Sequence, residues 1–372
     1  MRATRERLRA TAVIACLASA CAADPTGLGR IDAAVADDDA SLAPDASFVA
    51  PDAAITPDAM IEAPDALIPD AGVVSPDAAP APDATPATIV RYPIVLLHGW
   101  AASDTVLGLT AVGAELTGAG HRVLVAAVPP FDSAEVRATF LRDQVDQLMR
   151  DTGAAKVNII AHSMGGLDSR HLISGLGYGD RVASLSTIGT PHRGTAVADV
   201  ILGLQSGAST AAIDALGAIF GGRVSDVESD PQVRASLRAL SEDAALTFNP
   251  AHPDDPRVFY QSWAGLSNVR GIPSRNDEVA CEVLLFDSTL RDVMDRALVP
   301  LAAMAAHGLR VWPNDGLVPV VSAKWGLYHG CVPADHADEV GAFDDLPPDA
   351  ITGFDFLAFY RSIALDLAVR GY

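Results

Sequence analysis

The stretch Val157-Asn-Ile-Ile-Ala-His-Ser163-Met-Gly-Gly166 decides the fold of this 372-residue chain. Its apolar start is typical of a buried parallel strand, and the segment after Gly166 can form a helix. Small residues two positions before and two positions after the serine allow a sharp turn that projects the Ser163 hydroxyl above the sheet. Alanine at the first of these positions, where glycine is usual, strains the turn only slightly. The pattern predicts a nucleophile elbow with Ser163 at its tip.

Apolar runs of similar length recur on both sides of this strand. We predict strands at Ile94–Leu97, Val123–Val128, Val157–Ile160, Val182–Ile188, Val258–Trp263 and Leu309–Trp312. A helical pattern between the second and third runs starts at a capping box of Asp132 and Glu135 and stops at Gly153. Strands that alternate with helices indicate an α/β fold, with a mostly parallel sheet flanked by helices. Such sheets bind ligands at the carboxyl ends of their strands.

The segment Tyr92-Pro-Ile-Val-Leu-Leu-His-Gly-Trp100 combines a buried strand with a loop that can face the elbow. Two backbone N–H groups accompany elbows of this kind, one after the nucleophile and one from the loop after an early strand. We therefore predict an oxyanion hole formed by the N–H groups of Trp100 and Met164. His98 is expected to brace the loop, and His162 to pack around the elbow.

An acid and then a histidine should follow the serine along the chain. Asp315 lies in Asn314-Asp-Gly316, directly after the predicted strand Leu309–Trp312, and His336 follows soon afterwards. We predict that His336 takes the proton of Ser163 and that Asp315 fixes the imidazole tautomer. The serine at the elbow argues against a dehalogenase, which would carry aspartate there. A metalloenzyme is disfavoured because the sequence has no His-x-x-x-His or Cys-x-x-Cys spacing.

The N-terminal 88 residues differ in composition from the rest. Residues 1–21 have the basic start, apolar run and small residues of a signal peptide. The stretch Leu17-Ala-Ser-Ala-Cys21 resembles the lipobox of bacterial lipoproteins, so Cys21 either carries a lipid anchor or leaves with a cleaved leader. Residues 22–88 repeat Pro-Asp-Ala and are predicted to be a disordered linker before a catalytic domain at 89–372. We expect an exported protein, either a cell-surface or outer-membrane lipoprotein or a secreted one.

Charge and cysteine content narrow the partners and the compartment. The formal net charge is −21, whereas phosphate binding requires clustered Lys and Arg, so we expect no nucleic-acid partner. Only Cys281 and Cys331 lie beyond the leader and linker. In an exported protein they would most simply form one disulfide, the alternative being two buried thiols.

Six motifs, in order, resemble the Pseudomonas/Burkholderia-type bacterial true lipases, and the resemblance extends over Arg91–Tyr372. The motifs are Pro93–Gly99, the elbow, Ile188–Gly194, Ser262–Gly265, Asn314–Val318 and His336–Val340. The resemblance implies an α/β-hydrolase fold and a lipase that cleaves acylglycerol esters through an acyl-enzyme intermediate. A shorter-chain esterase, a polyester depolymerase and a lactone-forming acyltransferase would share every catalytic residue. A non-catalytic surface lipoprotein is a more distant alternative.

The resemblance further implies one structural calcium ion that stabilises the loop bearing the catalytic histidine. Oxygen ligands from two carboxylates and two carbonyls suit this hard cation. The ligands implied are Asp287, Asp338, Ala342 and Leu346. Asp287 is the less firmly placed carboxylate because its spacing to the acid at 315 is longer than in the relatives, and Asp292 or Asp295 could replace it.

The resemblance implies, too, a helical lid, over roughly residues 196–250. Within it, Val200–Phe220 places Ile213, Leu216, Ile219 and Phe220 on one helical face. That face either docks on a lipid surface or packs in the core. Many relatives need a dedicated membrane chaperone to fold, so a folding chaperone is an additional candidate partner, beside a lipid or ester substrate.

Overall fold

A computed structural model describes residues 88–102, 109–205, 213–217, 229–287, 289–342 and 347–372. The predicted signal peptide with Cys21 and all but the last residue of the predicted linker lie outside the described residues. The described residues all belong to one compact unit, Ala78–Tyr372. In this part of the chain no helix is both long and apolar enough to span a membrane.

A parallel sheet of six strands forms the centre of the unit, in the order β2-β1-β3-β4-β5-β8. Two short strands, β6 and β7, pair separately. The strands are β1 (Ile94–Leu97), β2 (Val123–Ala126), β3 (Val157–His162), β4 (Val182–Ile188), β5 (Phe259–Gly265), β6 (Ser267–Asn268), β7 (Asp292–Val293) and β8 (Leu327–Val332). The mostly parallel α/β sheet predicted from the sequence is therefore confirmed.

The predicted strand at Leu309–Trp312 is wrong. The chain there makes a 3₁₀ turn, Gly308–Arg310, flanked by left-handed backbone at His307 (φ 55°) and Val311 (φ 48°). Left-handed residues cannot continue a strand. The sixth strand is instead β8, whose Gly330 and His329 interrupt the apolar run on which the prediction depended.

Helices cover both faces of the sheet. They are α1 (Thr110–Gly118), α2 (Ala134–Thr152), α3 (Gly165–Arg170), α4 (Ala196–Ile201), α5 (Pro231–Ala239), α6 (Glu242–Ala251), α7 (Arg275–Cys281), α8 (Val299–Ala305), α9 (Val320–Ala323) and α10 (Phe356–Val369). A π-helical turn, His171–Gly175, follows α3 directly. Helix α2 begins one residue later than the predicted capping box, because the Ser133 side chain caps Val136 N, and it ends as predicted at Gly153 (φ 66°).

Alternate residues of β1 supply the two layers of the core, as the two-residue period of a strand requires. Ile94 and Leu96 are fully buried in a cluster that includes residues of α1 and α10. Val95 and Leu97 are fully buried in a second cluster, which includes residues of α2 and β3. Burial of β1 on both faces explains its unbroken apolar sequence.

The predicted disulfide between Cys281 and Cys331 is present, with Cα atoms 5.4 Å apart. It joins the end of α7 to β8. Backbone hydrogen bonds run beside it, from Cys331 N to Val283 O and from Leu285 N to Cys331 O, both 2.9 Å. The crosslink thus reinforces an edge of the sheet close to the loop that follows β8.

The region predicted as a lid is described in part. Helices α4, α5 and α6 and the helical residues 213–217 belong to it, whereas Ile219 and Phe220 lie outside the described residues. Leu216 is buried in an apolar cluster with Leu237 of α5, and Ile213 packs against the same cluster. The described part of the predicted apolar face therefore packs against protein in this structure.

Candidate active site

Ser163 occupies the tight turn between β3 and α3. Its φ of 55° is left-handed, and its N–H donates to Ile188 O at 2.9 Å. A Cβ at Gly165 would lie 2.8 Å from Leu97 O, and one at Gly166 only 2.3 Å from Thr190 Oγ1. Contacts this short exclude side chains. The two glycines of the sequence pattern therefore allow the turn to pack against the Leu97 backbone and the Thr190 side chain.

The structure brings Ser163, His336 and Asp315 into one hydrogen-bonded chain. His336 Nε2 lies 2.9 Å from Ser163 Oγ, and His336 Nδ1 lies 2.8 Å from Asp315 Oδ2. All three side chains are buried. A carboxylate beside Nδ1 selects the tautomer that leaves Nε2 free to accept the serine proton. The three residues predicted from the sequence thus have the geometry of a serine-hydrolase triad.

Local hydrogen bonds fix the Asp315 carboxylate, although no strand ends directly before this residue. Asp315 Oδ1 accepts from Leu317 N and Val318 N at 2.8 and 2.7 Å. Asp315 O accepts from His336 N at 2.8 Å. These bonds orient the remaining oxygen, Oδ2, towards the imidazole. The tight loop at 314–319, rather than the end of a strand, therefore positions the Asp315 carboxylate.

The loop after β1 passes directly against Ser163. A Cβ at Gly99 would lie 2.5 Å from Ser163 Cβ. The next residue, Trp100, is buried, and its indole Nε1 donates to Ser236 Oγ on α5 at 2.6 Å. Met164, which follows the serine, is fully buried at the start of α3. The two residues of the predicted oxyanion hole therefore directly follow the two residues in contact: Trp100 follows Gly99, and Met164 follows Ser163.

A buried arginine anchors this loop, and the sequence analysis did not identify it. Arg137 on α2 donates from Nη2 to His98 O and Gly99 O at 3.0 and 3.2 Å. Its Nε donates to Asp168 Oδ2 at 2.8 Å, and both side chains are fully buried. Burial raises the pKa of Asp168 to about 7, although Arg137 opposes the shift. Helix α2 thereby connects the loop after β1 to α3, which follows the elbow.

A second acid–histidine pair lies beside the first. His162 Nε2 is 2.9 Å from Glu339 Oε2, and Glu339 is 3.6 Å from His336 Nδ1. Burial raises the pKa of Glu339 well above its usual range and lowers that of His162. Both shifts favour an uncharged pair. His162 packs around the elbow as predicted, whereas Glu339 was missed, although it belongs to the motif His336–Val340.

A cavity opens onto Ser163 and His336. Its walls come from the loop after β1, from α4 and α5, and from the loops at residues 298 and 317. Most of the lining is apolar, including Trp100, Val197, Ala198, Leu216, Leu237, Leu240, Leu298 and Leu317. An apolar cavity beside the Ser163 hydroxyl suits a hydrocarbon chain.

Three carboxylates gather close to the histidine loop. Oxygens of Asp292, Asp335 and Asp338 lie within 4.8 Å of one another. Asp287, the first choice from the sequence, is not among them, because it is exposed and accepts from Thr289 N at 2.8 Å in its own turn. The alternative position, Asp292, lies beside Asp338.

This acidic cluster has the chemistry of a cation site. Asp292 is buried, and no hydrogen-bond partner among the described residues reaches its Oδ2. Burial raises its pKa to about 7, which an adjacent cation would counteract. Asp335 accepts from three backbone N–H groups. Asp295, the other alternative, accepts a hydrogen bond from Ala297 N instead. Of the two predicted carbonyl ligands, Ala342 is buried in the loop that follows His336, and Leu346 lies outside the described residues.

The fold and this site define a serine hydrolase of the α/β-hydrolase superfamily. The family model for the α/β-hydrolase fold matches residues 92–215. A triacylglycerol lipase from Vibrio cholerae is 33% identical over 308 residues, which cover 76% of this chain and 90% of that protein. The chain therefore belongs to the bacterial triacylglycerol lipase family, as the sequence motifs predicted, and it is a carboxylic ester hydrolase.

Other relatives agree with this assignment. A triacylglycerol lipase from Burkholderia plantarii is 34% identical over 189 residues, which cover 46% of this chain and 52% of that protein. The solved structure of lipase 1 from Pelosinus fermentans superposes with a TM-score of 0.52 at 18% identity, covering 75% of this chain and 99% of that one. At that identity the superposition supports the fold alone.

Proposed function

We propose that Ser163 is the nucleophile of a lipase that cleaves acylglycerol esters through an acyl-enzyme. Ser163 Oγ attacks the ester carbonyl while His336 Nε2, 2.9 Å away, takes its proton. His336 then returns the proton to the departing alcohol, and Asp315 stabilises the imidazolium in between. Water, deprotonated by His336, attacks the acyl-enzyme and releases the fatty acid. The single observation that carries this proposal is the hydrogen-bonded chain Ser163–His336–Asp315 at the mouth of an apolar cavity.

The N–H groups of Trp100 and Met164 are proposed to hold the carbonyl oxygen as it becomes negative. The close contact between Gly99 and Ser163 supports this proposal. A Cβ built on Gly99 would lie 2.5 Å from Ser163 Cβ, so the backbone of the next residue, Trp100, is close to the Ser163 side chain. Each such donor is worth about 100- to 1000-fold in rate, because it acts on charge that develops in the transition state.

The acyl chain is proposed to lie in the apolar cavity. Leucines from three different segments line it, namely Leu237, Leu298 and Leu317. Burial of a hydrocarbon chain there would contribute about 0.8 kcal/mol for each CH₂ removed from water. This apolar lining supports a preference for long-chain esters over acetate esters.

One structural calcium ion is proposed at the acidic cluster, held by Asp292 and Asp338, with the Ala342 carbonyl as a further ligand. Support comes from an all-oxygen donor set and from the buried Asp292 Oδ2, which has no hydrogen-bond partner in the described part of the chain. When bound, calcium would neutralise the carboxylates and stiffen the loop from His336 to Ala342. Asp292 takes the place that Asp287 has in the prediction from sequence.

We propose, finally, that the protein is exported, with the leader at 1–21 and with Cys21 as its lipid anchor. Export is supported by the Cys281–Cys331 disulfide, because such bonds persist in oxidising compartments. Labelling cells with a radioactive fatty acid tests the anchor. Label on the wild-type chain that Cys21→Ala loses supports it, and equal label on both chains refutes it.

The decisive test compares wild-type protein with Ser163→Ala on p-nitrophenyl esters from acetate to palmitate and on a triglyceride emulsion. We expect turnover that favours long chains, that falls on the order of 10⁵- to 10⁶-fold in Ser163→Ala, and that weakens with chelation. A short-chain optimum would indicate an esterase instead. Absence of Ser163-dependent turnover from folded protein on every ester would refute the catalytic proposal.

The calcium proposal is tested separately by chelation, with thermal unfolding as the readout. Wild-type protein should lose stability on chelation. Asp292→Asn and Asp338→Asn should unfold earlier and show no further change with chelator, while Asp287→Asn should behave as wild type. Equal chelator sensitivity in all four proteins would refute the ligand set.

A further inference from the structure

The indole of Trp100 connects the loop after β1 to helix α5. Its Nε1 donates to Ser236 Oγ at 2.6 Å, across a sequence separation of 136 residues. Both side chains are buried, and Ser236 is fully so. Trp100 lines the cavity that opens onto Ser163, and so does Leu237, the residue after Ser236. The hydrogen bond therefore joins two segments of the cavity wall.

The Ser236 hydroxyl is oriented to accept from this indole. Its Oγ donates to Val233 O, three residues earlier in α5, at 2.8 Å. A carbonyl oxygen can only accept and an indole N–H can only donate, so the hydroxyl has one role towards each partner. Because its hydrogen is directed back to its own helix, a lone pair of Oγ faces Trp100. Helix α5 thus offers the indole a fixed acceptor.

A second contact holds the Trp100 ring in the same place. The ring meets that of Phe131 edge to face, with centroids 5.5 Å apart and planes at 82°. Aromatic pairs favour this arrangement, because the positive edge of one ring meets the negative face of the other. A tryptophan side chain has few rotatable bonds. A ring that is held by both Phe131 and Ser236 therefore restricts the position of its own backbone.

The backbone of the loop is held immediately before and after Trp100. Gly99 O accepts from Arg137 Nη2 at 3.2 Å, and Ala101 N donates to Pro130 O at 2.8 Å. Ala101 has a left-handed φ of 56°, which is strained for a residue with a Cβ. Strain of this kind persists only where the surrounding structure holds it. The loop is therefore a restrained segment, and the Trp100 side chain is its connection to α5.

We propose that the hydrogen bond to Ser236 positions the Trp100 backbone N–H as oxyanion donor, which makes Ser236 a positioning residue that acts through the indole. The inference rests on the proposed function, in which this N–H stabilises the tetrahedral intermediate. Such a donor accelerates the reaction because it is in place before charge develops. A displacement of about 1 Å costs about 100-fold in rate. Helix α5, whose Leu237 lines the cavity, then also sets the geometry of the oxyanion hole.

Ser236→Ala and Trp100→Phe test the bond from its two ends in steady-state kinetics. Each should lower kcat about 10- to 100-fold with little change in KM, because the N–H acts on the transition state. The loss should be equal on p-nitrophenyl acetate and p-nitrophenyl palmitate, since both esters form the same oxyanion. An altered cavity shape would instead affect palmitate more than acetate.

Butylboronic acid provides a second readout. Ser163 Oγ forms a bond to boron, its proton passes to His336, and the adduct is a tetrahedral anion that resembles the transition state. Its affinity should fall in both variants by the same factor as kcat, because analogues of this kind measure transition-state binding.

Ser241→Ala is the matched control. Ser241 is fully buried like Ser236, and its Oγ donates to Arg238 O at 2.8 Å, but it accepts from Ala244 N rather than from an indole. The control should unfold earlier in a thermal scan, because it loses the cap of α6, and should keep wild-type kcat. The comparison separates a loss of stability from a displaced donor.

The double variant Trp100→Phe/Ser236→Ala should have the kcat of either single variant, because both substitutions remove one interaction. Wild-type kcat in Ser236→Ala, additive losses in the double variant, or a loss on palmitate alone would each overturn the inference while Ser163-dependent turnover stands. Absence of that turnover in wild-type protein would overturn the proposed function and this inference with it. If Ser236→Ala folds poorly, Trp100→Phe decides the matter, since it keeps an aromatic ring against Phe131, and wild-type kcat in it would refute the positioning role.

Discussion

Gly99→Ala is the sharpest test of how the loop after β1 contacts the nucleophile. The added Cβ would lie 2.5 Å from Ser163 Cβ and 3.0 Å from Ser163 Oγ. Carbon atoms in contact are about 3.5–4.0 Å apart, so one side must move by about 1 Å. Neither side can rotate away, because the methyl group is attached to backbone and Ser163 is held in a left-handed turn.

A displacement of about 1 Å between reacting groups costs about 100-fold in rate. We therefore expect kcat on p-nitrophenyl butyrate to fall about 100-fold or more, and the overpacked contact to cost about 1–3 kcal/mol of stability. Steady-state kinetics and thermal unfolding of the same preparation measure the two effects. The thermal scan separates a displaced loop from an unfolded chain.

Gly118→Ala is the matched control. Gly118 is the last residue of α1, and nothing lies within 4 Å of the Cβ it would gain. The same methyl group there should leave kcat unchanged and stabilise the helix by about 0.5–1 kcal/mol. If Gly99→Ala keeps wild-type kcat and stability, the close approach of loop and nucleophile is refuted, and with it the support for Trp100 as an oxyanion donor.

The other predictions concern the acid, the crosslink, the cavity and a buried carboxyl. Asp315→Asn should lower kcat about 10³- to 10⁴-fold with little change in KM, measured by steady-state kinetics, because the amide no longer selects the reactive His336 tautomer. Replacing Cys281 and Cys331 by alanine opens a loop of 50 residues and should cost about 2–4 kcal/mol in urea unfolding. Leu237→Trp should fill the cavity and lower kcat/KM for palmitate esters at least about tenfold more than for acetate esters. Burial raises the pKa of Asp168 from 3.8 to about 7, so the folded chain keeps a proton that the unfolded chain loses in this window. The free energy of unfolding should therefore fall as pH rises from about 4 to 7, and Asp168→Asn should flatten that slope in urea titrations.

Features carried by short contiguous motifs could be predicted from the sequence. The elbow around Ser163 and the strand β1 can each be recognised from a stretch of about ten residues. The expected order of acid and then histidine along the chain pointed to Asp315 and His336. The strand β8 could not be found in this way, because Gly330 and His329 interrupt its apolar run. A sequence indicates a strand by a continuous apolar run or by regular alternation of apolar and polar residues, and Leu327–Val332 shows neither.

Contacts between distant segments were beyond sequence reasoning. Arg137 looks like any arginine of an amphipathic helix, and only the fold shows that it holds the loop after β1. The second carboxylate of the acidic cluster, Asp292 rather than Asp287, depends on the path of the segment between Leu266 and Asn314, where short turns set the positions. Such turns produce no periodic spacing of apolar residues in the sequence.

Strand β8 lies at the edge of the sheet, and the loop after it carries His336. On the ribosome this strand is synthesised after every other strand of the sheet. Parallel pairing over long sequence separation is slow to form. A nascent or partly folded chain, even with its elbow already in place, therefore lacks the proton acceptor. Hydrolytic competence should then appear in a single late event during folding, and recovery of activity after dilution from urea would time the docking of β8.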